Sequence, residues 1–390
     1  MNAEPLTLRR LDFRVLGVLA ALALLGWVLQ ASIREAAMEG SIESRVDFAS
    51  KQATWYAVGA LVGTLVLLVP YRRILDHAYL LYAGGILLLL AVFAVGTSIK
   101  GARRWIDLGP ALLQPSELMK LGVILVLARY VRFRDDQRTL RGLAVPFLLA
   151  AVPMALVLRQ PDLGTALLFV PVLFGVLYAS GARPRHLGLV VAMAVACAPL
   201  VYAVVLKDYQ RERVRTFLAL HGSKPESEQE RRAHEALVRQ EGYQAEQSRL
   251  AVASGGILGM GWAEGPQNRS GAVPEHQTDF IFTVVAEEFG FLGCALLAGL
   301  YGMLFLFLAD IARRSRDPAG KLLVTGVLVL LAVQGWVNVA MTVGLAPITG
   351  VPLPFLSYGG GSTVTSFMAV ALALNVGARP GFDFGPTDFR

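Results

Sequence analysis

Long apolar stretches follow one another almost from end to end, at about 13–32, 53–70, 78–97, 117–132, 142–158, 163–180, 187–206, 279–309, 322–344 and 362–378. Nearly all are of a length that carries an α-helix through roughly 30 Å of hydrocarbon. Short polar links join most of them. The eighth stretch is long enough to tilt or to project beyond a bilayer. The first follows a basic start and continues into QASIREAAMEG. A cleaved signal would have a shorter apolar core and a small-residue cleavage site, so this run is an uncleaved first span. The pattern predicts an all-α polytopic integral membrane protein of about ten transmembrane helices. Residues 1–390 form a single membrane domain with one large extracytoplasmic loop, 207–278, between helices 7 and 8.

Composition sharpens that picture. A chain of 390 residues would ordinarily suggest two or three soluble domains, but it is 55% hydrophobic and only 17% charged. Its net charge of +7 is spread over the short links, which argues against a nucleic-acid partner. With the N-terminus inside, the inner links carry more than twice the Lys and Arg of the short outer ones, so both termini are expected in the cytoplasm. The 207–278 segment then faces outward, rich in charge and helix formers, as interfacial helices or as a solvated loop. Cys197 and Cys294 lie inside apolar runs, and the five histidines lack metal-ligand spacing. No nucleotide-binding loop, nucleophile elbow or zinc-protease motif is present. Any chemistry must occur at or within the membrane.

Several polar residues need a reason, because ionisable groups in spans are costly. Glu117 and Lys120 stand three apart on one helical face, either as a local ion pair or bordering an anionic site. Ser116, after Pro115, is the expected N-cap of that helix. Lys100, Arg103, Arg104 and Trp105 cluster in one outer link, as interface anchors or as a patch suited to a lipid phosphate. Asp162 precedes an apolar run as a helix N-cap would. Arg211, Arg213 and Arg215 follow the seventh stretch and can clamp phosphate bidentately or sit among headgroups. Thr278-Asp279 opens the eighth stretch, where Asp279 is either a helix cap or a reactive carboxylate. Glu287 and Glu288 lie further along, and an acidic, partly buried setting raises the basicity of a carboxylate. The 344–362 link, GLAPITGVPLPFLSYGGGS, is irregular, and irregular backbone at bilayer depth is tolerated where it lines a cavity.

Taken together, NVAMTVGLAPITGVPLPFLSYGGGS, GARRWIDLG, QPSELMK, RQPDLGTAL, YQRERV, SGGILGMGW and PEHQTDFIFTVVAEEFG resemble, in order, the blocks of the SEDS family (shape, elongation, division and sporulation). GMGW followed by Gln267 is closer to the RodA branch than to FtsW. Two departures stand out. Gln277 holds the place of the family's usual histidine, with His276 shifted by one. The stretch around 221–241 is longer and more charged than usual.

The resemblance implies a peptidoglycan glycosyltransferase that polymerises lipid II on the outer face of the cytoplasmic membrane, for cell shape and elongation. It implies Asp279 as the essential acidic residue, here the base on the acceptor 4-hydroxyl, with undecaprenyl pyrophosphate as leaving group. Candidates for the pyrophosphate are Arg211, Arg213, Lys120, Arg103 and Arg104, with Trp105 beside them. Glu117, Asp162, Thr278, Glu287, Glu288, Ser357 and Gly360 are expected in support. A divalent cation, Mg2+ or Mn2+, can share the charge, and a class B penicillin-binding protein is the implied transpeptidase partner. A lipid II flippase or other polyprenyl-lipid transporter is the competing assignment, although no internal repeat favours it.

Overall fold

The computed structural model describes residues 8–39, 47–99, 102–109, 111–204, 211, 214–218 and 242–379. Arg213 and the 221–241 stretch lie outside them. The helices are α1 (Phe13–Glu39), α2 (Phe48–Leu68), α3 (Tyr71–Asp76), α4 (Ala78–Val95), α5 (Pro115–Val131), α6 (Ala144–Arg159), α7 (Leu163–Ala179) and α8 (Pro184–Val204). They continue with α9 (Tyr243–Ser254), α10 (Pro266–Ser270), α11 (Ile281–Arg314), α12 (Pro318–Thr342) and α13 (Gly360–Ala378). Six helices among the described residues are long and apolar enough to cross a membrane, and α7 and most of α8 are shorter apolar helices. This is a multi-pass membrane protein.

One departure from an all-helical chain lies between α4 and α5. Strands β1 (Thr97–Ile99), β2 (Ala102–Asp107) and β3 (Leu112–Leu113) form a small antiparallel sheet in that order. It puts Arg103 and Trp105 on one face and Arg104 on the other, because side chains alternate along a strand.

Helix α5 runs through the centre, with nearly every residue buried, and packs on α4, α7 and α12. It starts at Pro115, whose missing N–H is no loss in a first turn, behind an N-cap at Gln114 rather than at Ser116. Asp162 caps α7 through Thr165 N at 3.1 Å, and Asp317 caps α12 through Ala319 N. Gly59 and Gly63 of α2 face Phe367 and Ala371 of α13, and the missing side chains let those two helices approach closely. Pro70 ends α2 and leaves its last carbonyls without helical partners; the Asn375 side chain of α13 donates to Val66 O and Val69 O in their place. Outward faces of α2 and α4 are apolar and exposed, as at Leu61, Leu65, Leu80 and Leu87. Apolar faces of this kind suit contact with lipid.

The long eighth stretch is not one straight helix. Gly290 has φ 61 and ψ −156, which breaks α11 into 281–289 and 291–314. Gly255 to Gly261 fills the break: Phe291 N donates to Gly256 O, Leu292 N to Ile257 O, and Met260 N to Glu287 O. Helix α11 packs on α1 from Glu288, which meets Ser32, to an Arg14–Asp310 pair of 2.9 Å. From Asp310 back to Gly290 is roughly 30 Å of helix. The break therefore sits about one bilayer core away from that pair.

Candidate active site

Asp279 belongs to a turn and not to the helix that follows. Residues 274–280 form the turn, α11 begins at Ile281, and its N-cap is Phe280, with no side-chain capping bond. The Glu275 carbonyl gathers the backbone N–H groups of Thr278, Asp279 and Phe280, which fixes the turn tightly. Thr278 Oγ1 also donates to Glu275. From α12, Asn338 Nδ2 donates to Asp279 O and to Val351 O, each at 2.8 Å. From α1, Gln30 Nε2 donates to Gln277 O at 3.0 Å, and Tyr358 N reaches the same carbonyl. The turn is thus clamped through its backbone, and the Asp279 side chain on it is half-buried. His276 is turned to Val273 O at 2.9 Å, and burial pushes its pKa down, so it stays neutral at pH 7.

The 344–359 connection forms the opposite wall. Gly350 has φ +71, and a Cβ there would lie 3.2 Å from Asp279 Oδ2. A Cβ on Gly164, near the start of α7, would meet Thr349 O and Val351 of the same connection. Two residues earlier stands Asp162, which accepts from Gln114 Nε2 at 3.1 Å and lies 3.9 Å from Arg104 Nη1. Arg104 also donates to the Gln160 and Pro161 carbonyls, so it clasps the α6–α7 turn. Gln114 bridges on to Ser116, and one residue further Glu117 accepts from Lys120 Nζ at 2.9 Å. Lys120 is 2% exposed and Glu117 4%. A Cβ on Gly361 would touch Glu117, and Gly360 packs against the Trp55 ring. Asp279, Asp162, Arg104, Glu117 and Lys120 are therefore linked by successive contacts at one end of the bundle.

The connection itself reaches deep into the protein, and its carbonyls are met one by one. Asn338 takes Val351 O, Tyr301 takes Pro354 O, Tyr56 takes Phe355 O, Gln30 takes Leu356 O and Gln52 takes Ser357 O. Buried backbone without such partners would cost several kcal/mol per group in a membrane. Ser357 closes the same loop by accepting from Leu353 N at 2.8 Å. None of these five donors was among the expected site residues, although Asn338 opens the NVAMTVGLAPITGVPLPFLSYGGGS block and Gln30 is a single amide in an apolar run.

Glu287 and Glu288 do not point at Asp279. Glu287 accepts from Gln267 N and Asn268 N at the start of α10. Glu288 accepts from Ser32 Oγ of α1 and from Asn268 Nδ2, each at 2.6 Å. They pin the 255–270 segment to the break in α11, where they are 1% exposed. Arg103 is exposed on the sheet beside the half-buried Trp105. Arg211 Nε donates to Tyr202 O at 3.0 Å, at the far end of α8. Among the described residues no three His, Cys, Asp or Glu side chains gather as metal ligands.

Residues 12–379 match the family model described as cell cycle protein, which covers FtsW, RodA and SpoVE. The chain belongs to the SEDS family. Its curated relatives include the peptidoglycan glycosyltransferase MrdB of Escherichia coli K12, 35% identical over 82% of this chain and 83% of that protein. Another is the peptidoglycan glycosyltransferase RodA of Treponema pallidum, 31% identical over 87% of this chain and 92% of the relative. Among solved structures, a chain of a peptidoglycan synthase complex that coordinates polymerization and crosslinking aligns at TM-score 0.77 and 32% identity, covering 94% of this chain and 97% of its own. The rod shape determining protein RodA of Thermus thermophilus aligns at TM-score 0.65 and 29% identity, over 94% and 96%. In this SEDS protein the site holds the half-buried Asp279 carboxylate on a clamped turn, with Gly350 against it and the Arg104–Asp162 and Lys120–Glu117 pairs on neighbouring elements.

Proposed function

We propose that the chain is a peptidoglycan glycosyltransferase that polymerises lipid II, with Asp279 as general base. The observation that carries this is the clamping of the Asp279 turn through its backbone, by the Glu275 carbonyl, by Asn338 and by Gln30 on the Gln277 carbonyl. A catalytic carboxylate needs this kind of support, because its position is then independent of its own proton.

In the proposed step Asp279 takes the proton of the acceptor sugar's 4-hydroxyl. The oxygen bonds to the anomeric carbon of the growing chain's terminal sugar, and the bond from that carbon to the pyrophosphate breaks. Its electron pair leaves on undecaprenyl pyrophosphate, with inversion from α to β. The anionic leaving group needs cations aimed at it. Arg103 beside Trp105, Arg211 and Arg213 are our candidates. Arg104 and Lys120 already face Asp162 and Glu117, and serve by holding the α6–α7 turn and α5 in register. A divalent cation, Mg2+ or Mn2+, would supply countercharge to the pyrophosphate, and with no three ligating side chains gathered among the described residues it would depend on the substrate's own oxygens.

The same proposal sets α1, α2, α4 to α8 and α11 to α13 across the membrane, both termini in the cytoplasm and the Asp279 end outside. Arginine-rich links at the Arg14–Asp310 end support that orientation. A class B penicillin-binding protein is the proposed partner, in keeping with the complex in which a structural relative was solved.

Glycan synthesis from purified lipid II by the wild type and by Asp279→Asn is the deciding experiment. General-base catalysis is worth roughly 100-fold or more. The variant should lose at least that much while keeping its thermal midpoint. An Asn variant that polymerises at a wild-type rate removes the assignment. A wild type that moves lipid II across vesicles and forms no polymer with its partner makes the chain a transporter.

A further inference from the structure

At the end of the bundle away from Asp279, the tips of α5 and α7 and the start of α12 line an open cleft of about 520 Å3. That volume lies in the range of small-molecule sites. Arg132, Arg134, Arg316 and Lys321 line it against a single acid, Asp135. Arg132 is held over the Phe133 ring at 4.2 Å and Arg134 over Tyr130 at 4.1 Å, which orients both guanidinium planes. The Arg134–Asp136 pair, at 3.3 Å with both side chains about half exposed, leaves most of that charge available.

A second feature shares the cavity. Gln137 is 2% exposed, and its Nε2 donates to Ser180 O at 3.0 Å. Its Oε1 is buried with no hydrogen-bond partner among the described residues. Buried polar atoms are almost always satisfied, so an orphaned acceptor beside a cationic cavity calls for a ligand that brings both negative charge and a donor. Phe133, next to the two arginines, is 65% exposed beyond the end of α5, an apolar ring that acyl chains can cover.

We infer that this cavity binds the headgroup of an anionic glycerophospholipid that carries a hydroxyl, of the phosphatidylglycerol type. Its phosphodiester oxygens meet Arg132, Arg134, Arg316 and Lys321, and a headgroup hydroxyl donates to Gln137 Oε1. The acyl chains run alongside Phe133 into the leaflet opposite Asp279. Basic pockets between helix ends are known lipid-headgroup sites in membrane proteins. The occupant would tie the loop between α5 and α6 to the α11–α12 link.

Native mass spectrometry of the purified full chain tests this with dihexanoyl phosphatidylglycerol, phosphatidylmethanol and phosphatidylcholine, and with inorganic phosphate. Phosphatidylglycerol should bind at least tenfold more tightly than phosphatidylcholine and several-fold more tightly than phosphatidylmethanol, which has the charge without the hydroxyl. Arg134→Gln with Lys321→Gln, both exposed side chains, should weaken phosphatidylglycerol at least fivefold and leave phosphatidylcholine unchanged. Gln137→Leu should erase the preference over phosphatidylmethanol. Equal binding of phosphatidylglycerol and phosphatidylcholine overturns the proposal, as does a double variant of unchanged affinity and thermal midpoint. Inorganic phosphate displacing phosphatidylglycerol at equal concentration also overturns it, in favour of a free-anion site. Equal wild-type binding of phosphatidylglycerol and phosphatidylmethanol overturns the role of Gln137.

Discussion

Gly350→Ala separates crowding of the carboxylate from ordinary backbone strain. The residue has φ +71, where an L side chain costs roughly 1–2 kcal/mol. Its new methyl would stand 3.2 Å from Asp279 Oδ2, too close by a few tenths of an ångström. Asp279 cannot retreat as a unit, because Asn338 and Glu275 hold its backbone at 2.8 and 3.0 Å. The carboxylate must turn instead. A misplacement of about 1 Å in a catalytic group costs on the order of 100-fold, so a few tenths should cost roughly threefold to tenfold.

Gly256→Ala is the control. It has φ +56, in the same left-handed region, and nothing lies within 4 Å of its added methyl. Both variants should lose a similar amount of thermal stability in detergent. Only Gly350→Ala should then slow glycan synthesis from purified lipid II, with the loss in turnover at saturating substrate. If the two variants polymerise alike, Gly350 does not shape the space in front of Asp279, and the site has been drawn in the wrong place.

Three further outcomes follow from the same contacts. Glu287→Ala removes the acceptor for Gln267 N and Asn268 N, a loss of about 1–2 kcal/mol as for other helix caps, and limited proteolysis should then cut the 255–270 segment faster. Because burial lowers the pKa of His276 from its ordinary 6.5, the unfolded chain binds its proton first as pH falls. That stability is fully present above pH 6.5 and lost below it, so the thermal midpoint should drop between pH 7 and 5, and His276→Gln should flatten the drop. Chelation with EDTA should slow polymerisation reversibly if a divalent ion shares the pyrophosphate charge; an unchanged rate removes the ion from the proposal.

The apolar runs were legible because a helix in lipid satisfies its own backbone and needs only length and apolarity. What the runs hid is the break at Gly290. A glycine inside an apolar stretch looks the same whether it packs or breaks, and the carbonyls that fill the break come from Gly256 and Ile257, in a separate segment. The sheet at 97–113 was hidden for a similar reason: its basic and aromatic residues suit an interface in any backbone form. Asp279 was ambiguous because Thr-Asp ahead of an apolar run is also how a helix is capped. The start of α11 at Ile281, behind an N-cap at Phe280, removes the helix-cap alternative.

The irregular connection after α12 was visible from its prolines and glycines, but not its role as a positioning device. Its carbonyls are held by Gln30 of α1, Gln52 and Tyr56 of α2, Tyr301 of α11 and Asn338 of α12. Two of those side chains, Gln30 and Asn338, also hold the turn that carries Asp279. The connection and the turn therefore share their anchors, and neither can shift along the bundle without the other. That coupling is what keeps Gly350 opposite Asp279, although the two are far apart in sequence. It also explains why polar amides are kept in otherwise apolar helices. Each is expensive in a membrane until its carbonyl partner is in place, so the site's geometry and the packing of four helices are satisfied together.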